Sequence, residues 1–131
     1  MSALRNVTVL MMGVLVAAMA GPARAEMLSG PQIKDLVSDK RVYLSTPLGL
    51  EFPLHYKSNG NVSGDASKFT MASMLAPRET GKWWTKGGKL CQQWPSWYKG
   101  RAFCFTVQQT GKSTISWVRD DGYSGTARIA N

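Results

Sequence analysis

Cys91 and Cys104 restrict the folds open to this chain more than any other pair of residues. Segments 90–94 and 101–108 each read as a short strand, and the tip Pro95-Ser96-Trp97-Tyr98-Lys99-Gly100 joins them. Set Cys91 opposite Cys104 in an antiparallel pair, and Leu90 meets Phe105, Gln92 meets Phe103 and Trp94 meets Arg101. Side chains alternate along a strand, so Leu90, Trp94, Phe103, Phe105 and Val107 share one face. Cys91, Ala102, Cys104 and Thr106 take the other. The first face is the expected core. A Cys91–Cys104 disulfide would close a loop of about a dozen residues, worth roughly 2–3 kcal/mol in the chain-entropy account. A zinc site is not expected, because two thiols and the lone His55 do not make a ligand set. There is no Cys-x-x-Cys, so redox catalysis is not expected either.

The rest of the chain after Arg41 follows the same grammar. Asn59-Gly60, Gly87-Gly88, Thr110-Gly111-Lys112 and Asp121-Gly122 are turn signals, and such signals recur roughly every ten residues. Strands are expected over 41–46, 50–56, 82–85, 90–94, 101–108, 113–119 and 126–129, while 68–75 fits strand or loop. Pro53 lacks an amide donor, which confines its strand to an edge or a bulge. Trp83 and Trp84 point to opposite faces, so at most one is core. Upstream, 26–40 reads as one short helix. Ser29 can cap it, Pro31 suits its first turn, and Ile33, Leu36 and Val37 form an apolar stripe. The expected fold is mainly β: a small antiparallel meander or barrel-like sheet with one short N-terminal helix as a lid.

Residues 1–25 read as an address. Arg5 precedes the apolar run 7–20, which Gly21-Pro22 ends before Ala23-Arg24-Ala25. The run is shorter than the roughly twenty apolar residues a membrane-spanning helix needs. Small residues at 23 and 25 suit signal peptidase, with cleavage between Ala25 and Glu26. The domain 26–131 carries no second long apolar run. It is expected to be periplasmic or secreted, and not an integral membrane protein. Export to an oxidising compartment and an even cysteine count support the disulfide.

The chain carries 16 Lys+Arg against 8 Asp+Glu, a formal charge of +8, and cleavage removes only Arg5 and Arg24 from this balance. A basic exported domain favours anionic partners, such as lipid phosphate or acidic glycans. Nucleic acid is not expected, given export and the lack of a recognition motif. The most suggestive surface is the hairpin tip. Trp97 and Tyr98 offer faces for stacking on sugars, and Lys99 and Arg101 offer charge for phosphate or carboxylate. Lys82, Lys86 and Lys89 flank Trp83-Trp84 and extend the same basic face. Packing at the end of a thin barrel is the alternative use of Trp97 and Tyr98.

Catalytic motifs fail. Gly111-Lys112-Ser113 lacks the glycine a phosphate loop needs five residues earlier, where Thr106 stands. Gly122-Tyr123-Ser124-Gly125 has the wrong spacing for a nucleophile elbow. Asp120-Asp121 is a turn, not an acid–base pair. His55 is the one possible histidine base. Asn61-Val62-Ser63 matches a glycosylation pattern that is common by chance. No cofactor or metal is expected.

The order of features resembles a known family. Pro31 to Val37 is followed by Tyr56 to Gly60, then Gly81-Lys82-Trp83. Next come Gly88-Lys89-Leu90-Cys91 with Trp94, and Ala102-Phe103-Cys104-Phe105 with Val107. This pattern is similar to small exported proteobacterial proteins catalogued as a domain of unknown function. The doubled Trp83-Trp84 and the longer 95–100 loop depart from it. The resemblance implies a Gram-negative periplasm and a disulfide, and no activity. The expected function is a non-enzymatic binding or accessory role in the cell envelope, for an anionic or glycan-bearing partner. A protein-binding inhibitor or host-interaction factor is the alternative, and a small hydrolase comes third.

Overall fold

The computed structural model describes residues 13–14, 26–47, 49–69 and 76–131. Eight antiparallel strands close into a barrel in chain order. They are β1 (Lys40–Ser45), β2 (Glu51–Tyr56), β3 (Asn61–Asp65), β4 (Arg78–Lys86), β5 (Lys89–Gln93), β6 (Phe103–Gly111), β7 (Thr114–Arg119) and β8 (Ser124–Ala130). Among the described residues one α-helix, α1 (Gly30–Val37), precedes them. β8 returns to pair with β1, which leaves no strand edge open. The apolar run 7–20 and Ala25 of the expected cleavage junction lie outside the described residues, apart from Gly13 and Val14; so do 70–75 of the ambiguous 68–75 segment. No helix among the described residues is long and apolar enough to cross a membrane.

The cysteine hairpin has the register that the pair requires. Leu90 faces Phe105, Cys91 faces Cys104 and Gln92 faces Phe103. Cys91 and Cys104 form a disulfide. Leu90, Trp94, Phe103 and Val107 are buried, and Phe105 packs against the core. Gln92 enters the core beside them. Its Oε1 accepts from the Tyr56 hydroxyl at 2.7 Å, so this buried polar pair is satisfied. Burial pushes the Tyr56 phenol well above its ordinary range and keeps it a proton donor.

The two ends of the barrel differ. At one end the strands are joined by tight turns at Gly60, Gly87-Gly88 and Lys112-Ser113, and α1 closes the opening. Ser29 caps α1: its Oγ accepts from the Gln32 amide, and Gln32 Oε1 accepts from the Ser29 amide. Ile33 and Val37 are fully buried, and Val37 reaches the barrel interior beside Val42, Leu90 and Val107. The Leu28 amide donates to the Val107 carbonyl at 2.9 Å, which ties the approach to α1 to β6 past the end of β5. The helix thus closes one end of the barrel, as the expected helical lid does.

Glycines set the shape of the other end. A Cβ at Gly64 of β3 would lie 2.6 Å from the Trp97 ring, and one at Gly125 of β8 would lie 2.6 Å from the Trp117 ring. Large rings therefore fill the barrel where two strands have no side chain.

Several elements depart from the sequence reading. β3 is an unexpected strand, because Val62 is its one large apolar residue and Trp97 supplies the bulk missing at Gly64. β4 starts at Arg78, four residues before the expected 82. Pro53 is not on an edge strand, since β2 pairs on both sides. Pairing with β3 stops at Leu54, so Pro53 faces only Tyr43 and its missing amide costs no ladder bond there. Trp83 is buried and Trp84 is exposed, as opposite faces require.

Candidate functional site

The barrel end opposite α1 carries a cleft of about 310 Å³. Phe52 of β2 and Phe69 beyond β3 form one wall. Trp94, Trp97 and Tyr98 form a second, and Trp117 of β7 with Tyr123 of the β7–β8 turn a third. Ser45, Thr46, Gln92 and Ser124 add polar atoms, and no charged side chain lines the cleft among the described residues. The volume falls near the lower end for small-molecule sites, which favour barrel mouths. Beneath it the barrel is filled. The interior void, which shares Leu44, Leu54, Gln92 and Trp117 with the cleft, measures about 30 Å³.

The β5–β6 loop is held rigidly over this mouth. The Glu79 carboxylate accepts from the Ser96 amide at 2.8 Å, the Trp97 amide at 3.1 Å and the Ser96 hydroxyl. Gln93 Nε2 donates to the Gly100 carbonyl at 2.8 Å. Trp97 is 1% exposed; its indole N–H donates to the Ala76 carbonyl and its ring lies 4.6 Å from that of Trp94. It is a wall of the cleft and not a free stacking platform. Tyr98 is 43% exposed. Tyr98, Lys99 and Gly100 have φ of 55°, 58° and 71°, and the first two are not glycine. Such strain costs of order 1–3 kcal/mol per residue and gathers at ligand clamps.

A cation–aromatic cluster braces the rim. Arg119 ends β7 on the inward side. Its guanidinium lies 4.3 Å from the Phe103 ring centre, 4.6 Å from Tyr123 and 5.5 Å from Tyr98. Asp121 accepts two hydrogen bonds from it, at 2.7 and 2.8 Å. These bonds raise the Arg119 pKa and hold Asp121 below the usual carboxylate range. The Arg101 guanidinium lies 4.8 Å from Phe103, whose ring meets Tyr98 edge-on at 5.0 Å. Arg101 therefore stands one ring away from the mouth. Lys99 and Arg101 are exposed and join no ion pair among the described residues.

The expected tip residues thus divide. Trp97 and Tyr98 line the cleft, and Lys99 and Arg101 flank it. Lys86 and Lys89 do not extend this face. They face each other across the Gly87-Gly88 turn, at the end that α1 closes. The reason is topological: the β4–β5 and β5–β6 connections leave opposite ends of β5. Sequence reasoning missed Phe52, Phe69, Arg119, Trp117 and Tyr123. The inward period Ile115, Trp117, Arg119 signals two of them, and Tyr123 directly follows the Asp121-Gly122 turn. Phe69 has no such signal.

Two buried indole donors, Trp94 Nε1 and Trp117 Nε1, have no hydrogen-bond partner among the described residues. Orphan donors of this kind are uncommon and costly.

A second groove, of about 400 Å³, crosses the outer wall and gathers Arg41, His55, Ser63, Asp65, Arg78 and Glu79. Its carboxylates are already engaged. Asp65 pairs with Arg78 at 3.2 Å and accepts from the Ser67 amide at 2.9 Å, while Glu79 holds the β5–β6 loop. No hydrogen bond joins His55 to either carboxylate among the described residues, so the groove contains no oriented acid–base pair there. No group of three or more His, Cys, Asp or Glu is placed to hold a metal ion among the described residues.

Fold and site define a class: a disulfide-linked antiparallel barrel, closed by a helix at one end and carrying an aromatic cleft at the other. Comparisons with protein-family models, curated proteins and solved structures found no match to this chain.

Proposed function

We propose that the protein is an exported, non-catalytic binding protein of the cell envelope whose mouth takes an anionic or glycan-bearing partner. The observation that carries this reading is the mouth: seven aromatic rings around about 310 Å³. Strain at Tyr98 and Lys99 and the free charges of Lys99 and Arg101 support it, as does the formal charge of +8. Cleavage after Ala25, a periplasmic location and kinship with the exported proteobacterial family belong to the same reading.

A thermal-shift panel tests it. The oxidised protein is melted with lipopolysaccharide, peptidoglycan fragments and heparin, each at low and high salt. The expected result is a rise in Tm with an anionic glycan that shrinks as salt increases. No rise with any of them overturns the reading. It would favour a protein partner instead, for which Tyr98 at 43% and Tyr123 at 67% exposure would be anchors. That alternative is marked by a stoichiometric complex that survives moderate salt.

A further inference from the structure

We infer that the mouth takes a single pyranose ring and that Arg101 and Lys99 take an anion carried beside that ring. The ligand class is a sugar bearing a phosphate or carboxylate. This inference rests on the binding reading above and specifies what is bound.

Depth argues for a ring. Only about 30 Å³ lies beneath the cleft, roughly the share of one water molecule, so an acyl chain has nowhere to run. Tyr98 and Tyr123, exposed rings of the walls, suit the flat C–H face of a pyranose, which stacks on such rings.

Charge argues for an anion outside the cleft. No charged side chain lines it among the described residues, and an unpaired anion buried there would lose its solvation without compensation. Arg119 is committed to Asp121. Arg101 and Lys99 join no ion pair among the described residues, and Arg101 is one ring from Tyr98. A ring in the mouth and an anion on these cations give two separable contributions to affinity.

The five tryptophans provide the readout. Trp94, Trp97 and Trp117 line the mouth. Trp83, whose indole donates to the Lys57 carbonyl, and Trp84, on the outer face of β4, serve as internal references. Indole N–H signals of the oxidised protein are followed by NMR during titration with N-acetylglucosamine, N-acetylglucosamine 6-phosphate and octyl phosphate. Both sugars are expected to move the three mouth signals and leave Trp83 and Trp84 in place. The phosphorylated sugar should bind about tenfold tighter at low salt. Arg101→Ala should remove that gain. Mouth signals that move with octyl phosphate and not with either sugar overturn the ring and leave the mouth as a binding site. Sugar-phosphate binding that leaves the mouth signals still overturns both. A silent response to all three probes overturns this inference, and the glycan panel judges the broader reading separately.

Discussion

Gly64 holds its place because Trp97 occupies the space where its side chain would be. A methyl group there would sit 2.6 Å from the indole, and the ring is hemmed in by Trp94, Phe52 and its bond to Ala76. Gly64→Ala is expected to destabilise the fold by about 1–3 kcal/mol, as overpacking of a dense core does. Urea denaturation measures it. Gly30→Ala is the control, since its Cβ would meet nothing closer than 3.5 Å and should leave the midpoint nearly unchanged. Equal midpoints for Gly64→Ala and the parent would mean that the ring is free to retreat. The same packing makes Trp97→Ala a poor probe of binding, because it would open the core. Tyr98, 43% exposed, is the cleaner site. Packing of Trp97 at the barrel end was one of two uses the tip allowed, and the structure shows it. The chain alone does not decide between them, because the groups that enclose Trp97 lie on segments remote from it in sequence.

At the scale of elements, legibility follows how local the determining contacts are. The register of the β5–β6 hairpin could be read, because one cysteine pair and a period of two set it, although pairing ends at Gln92–Phe103 and the expected Trp94–Arg101 pair does not form. The helix could be read from Ser29, Pro31 and three apolar positions. β3 could not, because the bulk that completes its inner face comes from another hairpin. Closure of β8 onto β1 could not either, since it pairs residues from the two ends of the domain, as in Arg41 with Ala130. The disulfide carries a prediction at this scale. Cys91 and Cys104 are 13 residues apart, and their bond limits the unfolded chain. Replacing both by serine is expected to cost about 2–3 kcal/mol and lower Tm by roughly 10 °C or more. Melting with and without reductant gives the same comparison on the parent. A parent whose Tm ignores reductant would show that the bond contributes little, and that the mouth loop depends on Glu79 and Gln93 instead.

Across the whole molecule, carboxylates are fixed at the joins between segments. Glu51 of β2 reaches past Tyr43 of β1 to Arg128 of β8, with bonds of 2.9 and 3.0 Å, and so spans the closing seam. Asp39, between α1 and β1, accepts from the Ser58 amide at 2.9 Å. Asp65 accepts from Ser67 and Arg78 beside the β3–β4 connection, and Asp121 from Arg119 at the rim. In each case these hydrogen bonds hold the carboxyl below its ordinary pKa. The folded protein then binds fewer protons than the unfolded chain near pH 4, so the stabilisation is complete above the unfolded pKa values. It is lost as pH falls through the lower, folded ones. Tm should be level from about pH 7 to 5 and fall below about pH 4. Net charge acts in the same direction, since protonated carboxylates leave 16 Lys+Arg unopposed, and that repulsion is screened by salt. Glu51→Gln separates the two contributions. It removes the ionisable partner of Arg128, so its melting curve should lie below the parent's at neutral pH and converge with it in acid. If the gap persists unchanged at low pH, Glu51 contributes through packing at the seam and not through its charge.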